Sequence, residues 1–94
     1  MFVTLMIKQT ITIINKLGFH ARAAAKFVNT ALRYESDVCL ICNERRADGK
    51  SIMSIMMLAA PQGTPIDLEV EGKDEQEVMN VLVDLVNNRF EEEE

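Results

Sequence analysis

His20 is the only histidine in a chain of 94 residues. It stands in the run Asn15-Lys16-Leu17-Gly18-Phe19-His20-Ala21-Arg22-Ala23-Ala24-Ala25. A strand-like segment ends ahead of it, Gly18 turns the chain, and an alanine-rich helix begins behind it. The imidazole is therefore expected at a helix N-terminus, with Arg22 two residues inside. Unbonded backbone N–H groups, the positive end of the helix dipole and a guanidinium then converge on one ring, which suits an oxyanion such as phosphate. Neutral imidazole is also a competent nucleophile near neutral pH, because its unperturbed pKa lies close by. A histidine that only capped a helix would require neither the glycine turn nor the arginine.

A second segment, Gly49-Lys50-Ser51-Ile52-Met53-Ser54-Ile55-Met56-Met57-Leu58, reads as a short helix opened by Ser51. The Ser51 hydroxyl is placed to accept from the N–H of Met53 or Ser54 as an N-cap. Gly49-Lys50-Ser51 is similar to the end of a phosphate-binding loop, but Glu44 stands where its leading glycine would be, which excludes nucleotide binding there. The helix, expected over about 51–60, carries one stripe of Ile52, Ile55, Met56 and Ala59 facing the sheet. A second stripe of Met53, Met57 and Ala60 is either irregular core or an exposed, adaptable docking patch.

Gly18-Phe19-His20-Ala21-Arg22 with its alanine-rich helix resembles the active-site signature of the HPr family, the histidine phosphocarriers of the bacterial phosphoenolpyruvate:sugar phosphotransferase system. The segment from Gly49 to Leu58 resembles the family's regulatory-serine segment. Gln62-Gly63-Thr64 and the acidic turn Glu71-Gly72-Lys73-Asp74-Glu75 follow in the family's order, so the resemblance covers about 6–90. It implies a phosphoryl group accepted from phospho-enzyme I on His20, at Nδ1, and passed to an enzyme IIA-type protein. The backbone N–H groups of Ala21, Arg22 and Ala23, together with the Arg22 side chain, would cradle its charge. It also implies docking through Ala21, Arg22, Ile52, Met53 and Met56, and regulation at Ser51 by an HPr kinase/phosphorylase. No cofactor, metal or nucleotide site is implied, and the carrier is expected as a monomer. The family usually has proline after the arginine; Ala23 replaces it with a good helix former that keeps its N–H. The alternative function is a non-transferring regulatory module that docks partners through the Ile52/Met53/Met56 surface, although such a module has no use for His20 and Arg22.

These residues need elements to position them. Lys8 to Asn15 alternates as a half-buried strand with Ile11 and Ile13 on one face. From Ala21 to about Tyr34, Ala24, Phe27, Val28, Ala31 and Leu32 form one helical stripe. Strands are expected from Val38 to Asn43, from a turn near Glu44-Arg45 to before Gly49, and through Ile66, Leu68 and Val70. A last helix begins at Asp74, with Glu77 as a capping-box partner and Val78, Val81, Leu82, Leu85 and Val86 as its stripe. The acidic tail Glu91–Glu94 is expected to fray, since negative charge is unfavourable at a helix C-terminus. The order β-α-β-β-α-β-α gives an α+β, open-faced two-layer sandwich, one four-stranded antiparallel sheet covered on one face by helices. Resemblance to HPr supplies the strand order 1-4-2-3.

Composition agrees. The chain is expected to be a single domain over 1–94, with 48% hydrophobic and 27% charged residues. A formal charge of −5 disfavours nucleic acid or anionic lipid as partner, because both need a basic surface. No apolar run is long enough to span a membrane, and residues 1–6 lack the basic start and length of a secretory leader, so a cytoplasmic location is expected. Cys39 and Cys42 have C-x-x-C spacing, but three residues apart on a strand they point to opposite faces. Without a second cysteine pair they are read as reduced structural thiols rather than a redox or metal site.

Overall fold

The computed structural model describes residues 6–94. The reading of residues 1–6 as lacking a leader falls, Met6 apart, outside the described residues. The elements are β1 (Ile7–Thr12), α1 (Ala21–Ala31), β2 (Asp37–Cys42), β3 (Arg45–Asp48), α2 (Ile52–Met56), β4 (Pro65–Glu71) and α3 (Glu75–Asn87), closed by a 3₁₀ turn at Arg89–Glu91. The sheet runs β1-β4-β2-β3, and every neighbouring pair is antiparallel. Both the α+β class and the 1-4-2-3 order are thus as expected. No helix among the described residues is long and apolar enough to cross a membrane.

Alternation along the strands makes the sheet one-sided. Ile66, Leu68 and Val70 of the central β4 are fully buried. Register sets them beside Ile11 on β1 and beside Val38 and Leu40 on β2. The opposite face carries charge: Thr10 donates to Asp67 at 2.7 Å, Lys8 lies 3.7 Å from Asp67, and Arg46 donates to Glu69 at 2.9 Å. Cys39 falls on this half-exposed face while Cys42 is buried on the other, and both thiols are free. The β2–β3 turn uses Asn43 and Glu44, both with positive φ, the conformation a two-residue hairpin requires.

Several local expectations are corrected. Strand β1 stops at Thr12 rather than near Asn15. Helix α1 ends at Ala31 because Arg33 and Tyr34 close onto Thr30 and Ala31 with three-residue bonds, which leaves Leu32 exposed; Ala23, in the first turn, is buried. Helix α2 has only five residues, and Ile55 alone turns inward. Ile52, Met56 and Ala59 are exposed instead, and burial passes to Leu58 and Ala60 in the turn that follows. On α3, Met79 is buried, while Val81 and Leu85 are half-exposed.

The capping box at the start of α3 does not form. Asp74 makes no side-chain cap; its carboxylate instead accepts from the Ser36 hydroxyl and from the N–H groups of Ser36, at 3.0 Å, and Glu35, at 3.1 Å. The bond from Ser36 Oγ, followed by the backbone donors, holds the Asp74 carboxyl below the usual aspartate range. A native pKa below the unfolded one contributes stability that is complete above the unfolded value of about 3.9 and lost as pH falls through the native value. The urea midpoint of the wild-type chain should therefore exceed that of Asp74→Asn at neutral pH, and this gap should narrow progressively below about pH 4.

Candidate functional site

The site is built on a turn too tight for a side chain. Gly18 has φ +72°, and a Cβ there would lie 2.8 Å from the Ala60 carbonyl oxygen and 2.9 Å from Pro61 Cα. The turn is closed by the Gly18 N–H donating to the Asn15 carbonyl at 3.1 Å and by Asn15 Nδ2 donating to the Gly18 carbonyl at 2.7 Å. Phe19 N–H then donates to Ala60 O at 2.9 Å, tying the turn to the exit from α2. Phe19 is buried against Phe27 of α1, the rings 5.6 Å apart and near edge-to-face. These contacts deliver His20 to the N-cap of α1 in extended geometry.

The helix ladder starts with Ala24 N–H to the His20 carbonyl at 2.8 Å. The N–H groups of Ala21, Arg22 and Ala23 stand outside it, as at any helix start. Ala21 and Arg22 are exposed, whereas Ala23 is fully buried. The helix forms without proline at that position. Arg22 lines an open cavity of about 460 Å3 with Lys16, Leu17, Lys26 and the acidic tail.

That tail is the main correction to the sequence reading. It does not fray at the end of α3. Arg89, Phe90 and Glu91 all adopt positive φ and turn the chain back. Phe90 is fully buried, its ring 5.1 Å from that of Phe19. Three non-glycine residues in this conformation each cost about 1–2 kcal/mol, while an exposed ion pair such as Lys16–Glu94, at 3.5 Å, contributes at most about 1 kcal/mol. The buried aromatic ring, worth about 3–5 kcal/mol by comparison with alanine, is the anchor. Lys26 Nζ donates to the Phe90 carbonyl at 2.8 Å, and the Lys16 N–H to the Glu94 main-chain oxygen at 2.5 Å. The carboxylates thereby leave the negative end of α3 for the positive end of α1.

Glu92 comes to rest on the histidine. Its Oε2 lies 2.5 Å from His20 Nε2, and its Oε1 accepts from Asn15 Nδ2 at 3.1 Å. Asn15 is fully buried. Both partners of its amide nitrogen, the Gly18 carbonyl and Glu92, are acceptors, which fixes the orientation of the amide. Its Oδ1 is buried without a hydrogen-bond partner among the described residues. Neither Asn15 nor Glu92 was singled out from the sequence. The available signal was Phe90, one large apolar residue four positions beyond Val86, where a solvated tail has no need of one.

On α2, the Ser51 hydroxyl accepts from the Ser54 N–H at 3.2 Å, as an N-cap. With Ile55 inward, Ile52, Met53, Met56 and Met57 form the outer side, with Met53 71% and Met57 64% exposed.

Comparison with known proteins identifies the family. A family model described as "PTS HPr component phosphorylation site" matches residues 7–88. The chain belongs to the HPr family. The phosphocarrier protein HPr of Pseudomonas aeruginosa is 60% identical over 85 residues, 89% of this chain and 94% of the relative. That of Neisseria meningitidis serogroup A is 55% identical over 89 residues, covering 95% of this chain and all of the relative. The crystal structure of HPr-C-His from Thermoanaerobacter tengcongensis superposes with a TM-score of 0.90 at 43% identity, over 94% of this chain and 99% of that one. Within this HPr-family chain the matched region includes His20, Arg22 and Ser51 but stops short of Phe90 and Glu92.

Because the Gly18 turn excludes a Cβ both by conformation and by space, Gly18→Ala should lower unfolding stability by about 1–3 kcal/mol in urea titration.

Proposed function

We propose that this chain carries a phosphoryl group on His20, accepting it from phospho-enzyme I and handing it to an enzyme IIA-type protein of the phosphotransferase system. The observation that carries this reading is an imidazole at the N-terminus of α1, beside the unbonded N–H groups of the first turn and Arg22. Nδ1 is the attacking nitrogen in this reading. Its lone pair forms the N–P bond, the bond from phosphorus to the donor breaks, and that electron pair returns to the donor. Transfer to the acceptor reverses the same step. The helix-end N–H groups of Ala21, Arg22 and Ala23 and the Arg22 guanidinium supply fixed positive potential for the phosphoryl oxygens. Ala23, being buried, donates only after local rearrangement, so Ala21 and Arg22 are the first to reach the phosphate.

The outer side of α2 is the docking surface in this reading. Ile52, Met53 and Met56, with Ala21 and Arg22 at the start of α1, present flexible apolar contacts to partners of different shape. Ser51 is a regulatory site for an HPr kinase/phosphorylase: a phosphate at the N-terminus of α2 is electrostatically tolerated by the fold, yet it adds charge beside the docking residues. The carrier works as a cytoplasmic monomer without a cofactor of its own.

Incubation with enzyme I and labelled phosphoenolpyruvate tests the assignment. The wild-type chain should take up an acid-labile, base-stable label, and His20→Ala should take up none while keeping its circular dichroism spectrum. A folded wild-type chain that stays unlabelled, beside another carrier that enzyme I does label, would support the non-transferring docking module instead. Met53→Glu should raise the KM for this carrier about tenfold (about 1.4 kcal/mol) with both enzyme I and the acceptor, with little change in kcat.

A further inference from the structure

Resting on the carrier reading, we propose that Glu92 is a positioning residue for His20, itself held in place by Asn15, and that this three-residue relay selects Nδ1 as the attacking nitrogen. Two independent contacts define it: Glu92 Oε2 on His20 Nε2 at 2.5 Å, and Asn15 Nδ2 on Glu92 Oε1 at 3.1 Å. The Glu92 side chain is 17% exposed and that of His20 27%, so the pair is largely withdrawn from solvent. Asn15 is completely buried, and its amide also fastens the Gly18 turn that delivers the histidine. One asparagine thus couples the backbone ahead of the ring to the carboxylate behind it.

The chemistry follows from what a carboxylate can accept. An ionised carboxylate has no hydrogen to donate, so Nε2 carries the proton and donates it to Oε2. In the neutral ring, Nδ1 then keeps the lone pair, because the hydrogen bond made by one nitrogen decides the state of the other. Attack by Nδ1 on phosphorus expels no proton from the ring. The Nε2 hydrogen stays in place, and the imidazole gains positive charge as the N–P bond forms. Glu92 faces that developing charge at the opposite nitrogen. It therefore favours the transition state and the phosphorylated ring over the free one, where a contact can raise the rate of transfer. Both carboxylate oxygens are required, since one accepts from Asn15 while the other accepts from His20. Glutamine fits the same space but presents a single acceptor oxygen, so it leaves either Asn15 or His20 facing an NH2 group.

Wild type, Glu92→Gln, Glu92→Ala and Asn15→Ala can be compared by imidazole 15N NMR of the free protein and by initial rates of labelling with enzyme I and phosphoenolpyruvate. In the wild type the neutral ring should show only the Nε2–H tautomer. Glu92→Gln and Glu92→Ala should show both tautomers, with kcat for labelling lowered on the order of tenfold and KM little changed. Asn15→Ala should show the same changes in smaller degree. Mixed tautomers in the wild type would overturn the proposal. So would Glu92 variants labelled within twofold of the wild-type rate, or faster, the latter identifying the tail as an obstruction. Since Glu92 is not among the groups that the carrier reading assigns to the phosphate, the two readings separate. Wild type labelled on His20 with Glu92 variants unaffected sinks the relay alone. An unlabelled wild type sinks the carrier reading and the kinetic role together, whatever the spectrum shows.

Discussion

No side chain fits between the turn at Gly18 and the backbone at Ala60–Pro61, and the arrangement of the site depends on that close approach. The contact lets Phe19 donate its N–H to Ala60, which sets the distance between the end of β1 and the exit from α2. It also sinks the Phe19 ring into the core, where Phe27 and Phe90 meet it. His20, the next residue, enters α1 in extended geometry. The N-terminus of one helix and the outer surface of another are thus held together by a turn of four residues. A carrier that presents one ring to several partners gains from such rigidity, since orientation of the reacting group is much of what a phosphoryl transfer requires.

Electrostatics at the site are divided between two sources of opposite sign. Positive potential comes from the start of α1, Arg22, Lys16 and Lys26; negative charge comes from a tail of four glutamates. In a chain of net charge −5, this tail would be repelled from most of the surface and from the end of α3 itself. Burial of Phe90 overcomes that repulsion, and the basic cluster gives the carboxylates a favourable destination. The dipole of α1 therefore attracts the tail as well as a phosphate. Glu92 contacts Nε2, whereas the carrier reading puts phosphorus on Nδ1, although the tail shares its cavity with Arg22.

Much of the architecture was legible along the chain. The alternation of Ile66, Leu68 and Val70 with acidic residues marks a strand buried on one face, and β4 is the center of the sheet. Ser51 was readable as a cap because a hydroxyl three residues ahead of a free N–H has one obvious partner. Asp74 departs from its local pattern for a related reason. Its type and spacing fit a capping box, but Ser36, thirty-eight positions away, offers a hydroxyl and a backbone N–H together. On α2, five residues are too few for periodicity to distinguish the inward face from the outward one.

The fold class, the turn at Gly18, the place of His20 and Arg22 at a helix start, and the family signature that carries the strand order are all written along the chain. Each is encoded over a few neighbouring residues, where conformational preference and hydrophobic period act locally. Tertiary structure alone decided that Asn15 and Glu92 meet at His20. Those residues are 77 and 72 positions from Glu92, and their meeting depends on Phe90 reaching the core and three residues turning left-handed behind α3. No local rule favours that turn. It forms because burial of the Phe90 ring, together with the bonds that Lys26 and Lys16 make to the tail, offsets the backbone cost.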